Sequence, residues 1–279
     1  MNTLKIRDTI FNWGKRTYIM GILNVTPDSF SDGGEYHSPD KALKQAQSFI
    51  EAGVDIIDVG GQSTRPGSQL ISTNEEIDRV IPIIELLRSR YRVPISLDTI
   101  NSKVAEAGIE AGADIINDIS GGTLDPEMLP TAAKLAVPII LMHSRGTPKT
   151  MQTLTQYENL VSDIISFLET QISKAINLGI HRHNIIIDPG IGFAKTYEQN
   201  LEILQNLPRF HCLDFPLLVG VSRKSFIGYI INKQDPKDRL WGTIAACCYA
   251  IAAKTHILRV HDVTPMIDAT KVADKLWRN

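Results

Sequence analysis

Polar and charged side chains recur in this sequence where short apolar runs end. They are Asn24, Asp58, Asp98, Asn117, His143 after Met142, Asp188, the run Ser222-Arg223-Lys224, and Arg259 with His261. One such residue is unremarkable, but so many at equivalent places need a common purpose. Two Gly-rich segments follow the first two runs, NVTPDSFSDGG (24–34) and GGQSTRPG (60–67). They read equally as lids over a bound molecule or as plain turns, since Asn, Pro, Asp and Gly suit both. After Ser222-Arg223-Lys224 a short extra helix opens near 226–231, and free N–H groups at a helix start attract anions. No Ser-His-Asp, Cys-His or paired-Glu arrangement gathers with these residues, so covalent catalysis is not indicated. No carboxylate cluster argues for an all-protein metal cage.

The elements that must position these residues repeat from end to end. Near-continuous Ile/Val/Leu runs fall at 18–23, 56–59, 94–97, 115–117, 138–142, 185–187, 217–219 and 257–260. Such runs suit parallel strands covered on both faces. Helix-period stretches alternate with them at 39–51, 74–90, 102–110, 126–135, 159–177, 197–206, 235–253 and 265–277. Eight strand-helix units in a single domain spanning 1–279 predict a TIM (β/α)8 barrel of the α/β class. A doubly wound open sheet is the alternative, but no GxGxxG turn follows the first run. An internal echo supports the barrel: EAGVDIIDVGG (51–61) returns as EAGADIINDISGG (110–122), and more loosely as LGIHRHNIIIDPG (178–190). Each copy reads helix end, capping glycine, strand, and polar strand end. In such barrels working residues lie at the C-terminal strand ends, so long loops after strands 1 and 2 would lie over that face.

Composition excludes several classes. The 279 residues carry a formal net charge of −2 with no Lys/Arg-rich block, so no nucleic-acid partner is expected. A few placed arginines can still bind an anion. No apolar run nears the ~20 residues of a membrane span, and no targeting segment is visible, so a cytoplasmic location is expected. The cysteines, Cys212, Cys247 and Cys248, are odd in number and read as free thiols.

NVTPDSFSDGG, GGQSTRPG, SLDT (96–99), NDISGG (117–122), DPGIGF (188–193), GVSRKSFIG (220–228) and RVHDV (259–263) together resemble the dihydropteroate synthase family of pterin-binding barrels. The resemblance spans essentially the whole chain. Gln62 stands where the family more often has Glu. The resemblance implies a transferase of folate biosynthesis, and a sulfonamide target, that joins 6-hydroxymethyl-7,8-dihydropterin diphosphate to p-aminobenzoate. Asp188 would then accept the ring N–H and exocyclic amine of the pterin, and Lys224 would donate from the opposite side. Asp98 and Asn117 would complete the polar lining, with Met142 and Phe193 as an apolar floor. Arg65, Arg259 and His261 would hold the diphosphate, and Asn24 would hold Mg2+. Ser222 would take the carboxylate of p-aminobenzoate, framed by Thr64, Pro27 and Phe30. A homodimer through the last helices is also implied.

Two other functions stay open at this point. A methyltetrahydrofolate-binding methyltransferase domain would share SLDT, NDISGG-like and DPG elements, but would not need the first loop, the Arg65 loop or SRKSF. A non-catalytic pterin-binding protein on the same fold would need the pocket alone.

Overall fold

A computed structural model describes residues 3–26, 38–63 and 67–278. The chain opens with a hairpin, β1 (Leu4–Ile6) and β2 (Thr9–Phe11), paired antiparallel. Eight parallel strands follow: β3 (Tyr18–Asn24), β4 (Ile56–Gly60), β5 (Ile95–Asp98), β6 (Ile115–Asp118), β7 (Ile139–Met142), β8 (Ile185–Asp188), β9 (Leu218–Val219) and β10 (Ile257–Val260). Their hydrogen-bonded order is β8-β7-β6-β5-β4-β3-β10-β9. The seam closes where Ile187 bridges Leu217 and its N–H donates to the Pro216 carbonyl at 2.9 Å. This closed ring is the expected barrel and excludes the open sheet.

The outer layer comprises α1 (Ser38–Ala52), α2 (Thr73–Arg90), α3 (Ser102–Glu110), α4 (Met128–Leu135), α5 (Leu160–Asn177), α6 (Tyr197–Gln205), α7 (Ser225–Ile230), α8 (Leu240–Ala252) and α9 (Val263–Trp277). Their starts follow capping chemistry: Ser72, Asn101 and Asn159 each accept a backbone N–H of the first turn, and Thr196 forms a full capping box with Gln199. Gly53 and Gly112, the echoed glycines, stand at φ +93° and +114°, so the repeat marks chain reversals into β4 and β6.

Side-chain alternation along the strands builds two cores. Ile57, Val59, Ile95, Leu97, Ile116, Ile139, Leu141, Ile185 and Ile187 pack outward against the helices. Tyr18, Met20, Ile56, Ile115, Ile140, Ile186, Leu218 and Ile257 point inward. The inner cluster is completed by Leu4, Ile6 and Phe11, so the hairpin plugs the N-terminal end of the barrel. This plug was not expected from the sequence, where two three-residue strands carry too few positions to show a period. Two further departures are local. Pro126 lies in a turn ahead of α4, where Asp125 accepts the Glu127 N–H at 2.9 Å. The stretch expected as one helix from 235 begins with a 3-10 turn, Pro236–Arg239.

Candidate active site

Continuing the inward alternation two residues at a time leads from the apolar core to the mouth. Ile56 is followed inward by Asp58, Ser96 by Asp98, Ile115 by Asn117, Ile140 by Met142, Ile186 by Asp188, and Ile257 by Arg259 and His261. The polar strand ends therefore converge on one face.

Arg259 is the hub. Its Nε donates to Asp58 Oδ2 at 2.6 Å and its Nη2 to Asp98 Oδ2 at 2.5 Å. Asn117 Nδ2 adds a bond to the same Asp58 oxygen at 3.2 Å. Burial opposes the charge on Arg259, but Asp58 and Asp98 more than offset it and hold the guanidinium above its usual range. Burial pushes the Asp98 carboxyl up; Arg259 pulls it down, while Asp58 and Glu76 push it further up. The arginine thus binds two carboxylates and keeps its other N–H groups for something else. Gly60 lies against this group: a Cβ there would make ordinary contact, at 3.6 Å, with both Asn24 Oδ1 and the Asp98 Cβ.

Asp188 and Lys224 form the second group. Asp188 is buried and accepts the Gly190 N–H at 2.7 Å. Burial raises its pKa to about 6, against the Gly190 bond and the charges of Lys224, Lys195 and Arg259. Lys224 is lowered to about 8, first by burial and then by Arg259, while Asp188 and Asp98 oppose this. Its Nζ stands 4.2 Å over the Phe193 ring. Phe193, Met142, Ile119, Met151 and Ala194 form an apolar wall at this mouth. Gly192, at φ +86°, brings the wall close to the lysine; a Cβ there would lie 2.9 Å from Lys224 Cδ.

The turn that aims Lys224 is built by its neighbours. Arg223 sits in the left-handed region at φ +59°, which costs a non-glycine residue about 1 kcal/mol or more. A bidentate pair with Asp262 at 2.9 and 2.5 Å, and its N–H bonded to Thr243 Oγ1 at 3.0 Å, hold it there. Ser222 is buried beside it and accepts the His261 N–H at 3.1 Å, with His261 Nδ1 3.0 Å from the same hydroxyl.

The structure thus brings together Asn24, Asp98, Asn117, Met142, Asp188, Phe193, Ser222, Lys224, Arg259 and His261 at one end of the barrel. Pro27, Phe30, Thr64 and Arg65 lie outside the described residues. The described ends of the second loop are anchored: Arg79 Nη1 donates to the Gly61 carbonyl at 2.9 Å, and the Gly67 N–H to the Pro148 carbonyl at 3.0 Å. Sequence reasoning had Asp58 at the mouth but gave it no task; the structure makes it the anchor of Arg259. Lys195, buried beside His143, was missed altogether. Among the described residues no group of three His, Cys, Asp or Glu side chains could hold a metal. No helix among them is long and apolar enough to cross a membrane.

Chemically, the mouth offers an anionic acceptor and a cationic donor across a flat apolar wall, next to an arginine, a histidine and a serine. That arrangement suits a planar heteroaromatic bearing an anionic substituent. The profile of the family described as pterin binding enzyme matches residues 20–261. A dihydropteroate synthase of Synechocystis is 55% identical over 99% of this chain and 95% of its own length. A Clostridium difficile dihydropteroate synthase, solved in the presence of pteroic acid, superposes with a TM-score of 0.91 at 41% identity, covering 96% of this chain and all of that one. A Xanthomonas albilineans dihydropteroate synthase solved with 4-aminobenzoic acid gives 0.89 at 39% identity, with 94% of each chain covered.

Proposed function

The chain belongs to the dihydropteroate synthases of the pterin binding enzyme family, and on that premise we propose how its residues perform the reaction. A pterin diphosphate is joined through its methylene carbon to the amine of p-aminobenzoate, and diphosphate leaves. The observation that supports the assignment best is the pair Asp188 and Lys224, set across the Phe193 wall. The ionised Asp188 accepts the ring N–H and the exocyclic amine, while Lys224 donates to the ring carbonyl and a ring nitrogen. Asn117 and Asp98 line the remaining edge, and Met142 and Phe193 hold the ring plane.

With the ring fixed, the diphosphate reaches towards Arg259, His261 and Asn24. Arg65, from the second loop, joins them. The methylene–oxygen bond breaks heterolytically, its electron pair going to the departing diphosphate, where the two arginines, with His261 and Asn24, meet the growing charge. The arylamine lone pair forms the new carbon–nitrogen bond, and the aminium then loses a proton to solvent. A neutral arylamine needs little help from a base. Ser222 receives the carboxylate of p-aminobenzoate, with Thr64, Pro27 and Phe30 framing the ring.

The donor set fits Mg2+ in a limited way. Asp58 and Asp98 are committed to Arg259, which leaves the neutral amide oxygen of Asn24 beside Gly60. Such an ion would take that oxygen and fill its sphere with water and diphosphate oxygens, neutralising charge on the leaving group.

We further propose a cytoplasmic homodimer. Tyr229 and Trp241 are 77% and 78% exposed, and Ile230 and Tyr249 about half exposed, around an apolar groove between α6, α7 and α8. Large apolar side chains grouped in this way suit an interface, and sedimentation of the purified protein reports its mass directly. The activity is tested by supplying the pterin diphosphate and Mg2+ with or without p-aminobenzoate. Diphosphate release that requires the arylamine is expected. Tight pterin binding without release would mark a binder, and release without the arylamine a hydrolase.

A further inference from the structure

The loops after β9 and β10 serve the two halves of one substrate, Lys224 the pterin and His261 the diphosphate. Arg223 precedes Lys224 in the first loop, and Asp262 follows His261 in the second. Two contacts stitch these runs together. Ser222 Oγ accepts the His261 N–H at 3.1 Å, and the next residue along each loop makes the fork: Arg223 Nε and Nη2 donate to Asp262 Oδ2 and Oδ1 at 2.9 and 2.5 Å.

Asp262 leaves another task undone to make that fork. It stands at the N-cap of α9, where its carbonyl accepts the Met266 N–H at 3.3 Å, yet its side chain makes no capping hydrogen bond. Aspartate is among the residues preferred for capping, and here both carboxylate oxygens turn to Arg223 instead. The start of α9 is held by packing: Val263 is buried, and β3 meets it with Gly21, where a Cβ would lie 2.9 Å from Val263 Cγ2. Asp262 therefore projects from a fixed point. Arg223 is pinned around its own backbone as well, its N–H bonded to Thr243 Oγ1 at 3.0 Å and its carbonyl to Arg239 Nη1 at 2.9 Å.

We propose that Arg223 and Asp262 are positioning residues that couple the two halves of the site: their fork sets Lys224 and His261 in a single register. This rests on the reading of Lys224 as the pterin's donor and His261 as a ligand of the diphosphate. Two parallel bonds fix orientation as well as distance, which a single contact would not. Without the fork, the left-handed backbone at Arg223 loses two of its restraints, and the lysine beside it and the histidine across from it are aimed independently.

The test uses the full chain carrying Asp262→Asn, Arg223→Asn or both. Asparagine at 262 can still cap α9 but lacks the second carboxylate oxygen; at 223 it tolerates positive φ and removes the fork. Calorimetry measures the affinity for 6-hydroxymethylpterin and, separately, for pyrophosphate with Mg2+, with thermal unfolding as the check on folding. Each single variant is expected to lose on the order of tenfold in both affinities. The double variant should lose no more than the worse single, because its second change removes an interaction already gone. Folded single variants with wild-type affinity for either ligand would overturn the proposal, as would losses that multiply in the double variant. Should the asparagine variants fail to fold, Arg223→Lys decides, since it keeps the charge without the fork: weaker binding of both ligands supports the proposal, and wild-type binding of either overturns it. Lys224→Met and His261→Ala test the reading beneath. If either binds its own ligand as well as wild type, that assignment fails and this proposal with it. If both lose binding while Asp262→Asn keeps it, only this proposal fails.

Discussion

The two ends of the barrel carry the same types of charged side chain and do opposite things. At the N-terminal end the shielded carboxylates Asp114 and Asp274 are closed off by donors. Asp114 receives Arg7 at 2.5 Å, Arg88 at 2.6 Å and the Ile95 N–H at 2.9 Å. Asp274 receives the Thr17 N–H and hydroxyl at 2.7 and 2.8 Å and pairs with Arg278 at 2.9 Å. Beneath them the hairpin fills the interior with Phe11 and Leu4. At the C-terminal end the same residue types are left unfinished. Among the described residues Asp58 Oδ1 is buried without a hydrogen-bond partner, and Lys224 stands over a ring rather than against a carboxylate. Charged groups with hydrogen-bonding capacity to spare separate this binding mouth from a structural clasp.

The sharpest way to break this comparison is to remove one arginine from each end. Arg259→Ala strands two buried carboxylates and removes a cation from the leaving group. Loss of the buried pairs should cost about 3–5 kcal/mol of stability, and kcat/KM should fall by on the order of 10^2 to 10^3. Arg88→Ala takes one of the two arginines from Asp114, which keeps Arg7 and the Ile95 N–H, and should lose stability, with kcat/KM within about threefold of wild type. Steady-state kinetics beside denaturant unfolding read both quantities. An Arg259→Ala enzyme at near-normal turnover would remove the hub from the mechanism. An Arg88→Ala enzyme with a large kinetic loss would erase the distinction between the ends.

The second contrast is one of proton uptake. In the proposed reaction Asp188 must be ionised to accept from the pterin, and burial pushes its carboxyl up to about 6. Lys224 must be protonated to donate, and burial with Arg259 beside it sets it at about 8. The signs give a bell for kcat/KM with respect to the pterin diphosphate. It falls below about 6 as Asp188 gains a proton, and above about 8 as Lys224 loses one. Asp188→Asn should lower the whole curve by roughly 10^2, since hydrogen bonds to a charged acceptor are among the stronger ones. It should also flatten the acid limb. An acid limb that survives unchanged in Asp188→Asn would assign that titration to another group.

These contrasts also explain what could be read from the sequence. The barrel was legible because each strand is an unbroken Ile/Val/Leu run and the EAGxDII unit repeats at equivalent places, a signal carried by many residues at once. The polar strand ends were legible for the same reason: Asp98, Asn117 and Asp188 each close a recognisable run. Pairing was not legible. Asp58 and Arg259 meet at 2.6 Å across 201 positions of sequence, and only the pairing of β10 with β3 brings Arg259 within reach of β4 on the far side of β3. Lys195 follows its motif by two residues, and the His143 that it meets comes from another part of the chain, packed against Phe167 and Tyr157. The hairpin plug escaped because it is short and its apolar residues mean little until the barrel interior exists to receive them.

The smallest expected effect tests the comparison most finely. Gly53 and Gly192 both hold positive φ, +93° and +86°. Alanine at either should cost on the order of 1 kcal/mol through backbone strain alone. At Gly53, on the N-terminal side of β4, a Cβ would meet nothing within 4 Å, so the cost should stop at stability. At Gly192 the same methyl would stand 2.9 Å from Lys224 Cδ and 3.0 Å from its Nζ. The lysine is the end of a flexible side chain and can yield, so the fold should survive. Yielding moves the ammonium off the Phe193 ring and away from the pterin carbonyl. A rise of several-fold in KM for the pterin diphosphate is therefore expected for Gly192→Ala, with kcat less affected, because ring contacts bind ground state and transition state alike. Gly53→Ala should unfold at a similarly lowered temperature with unchanged KM. Equal KM values in the two variants would mean that Lys224 does not touch the pterin in the way its place over Phe193 implies.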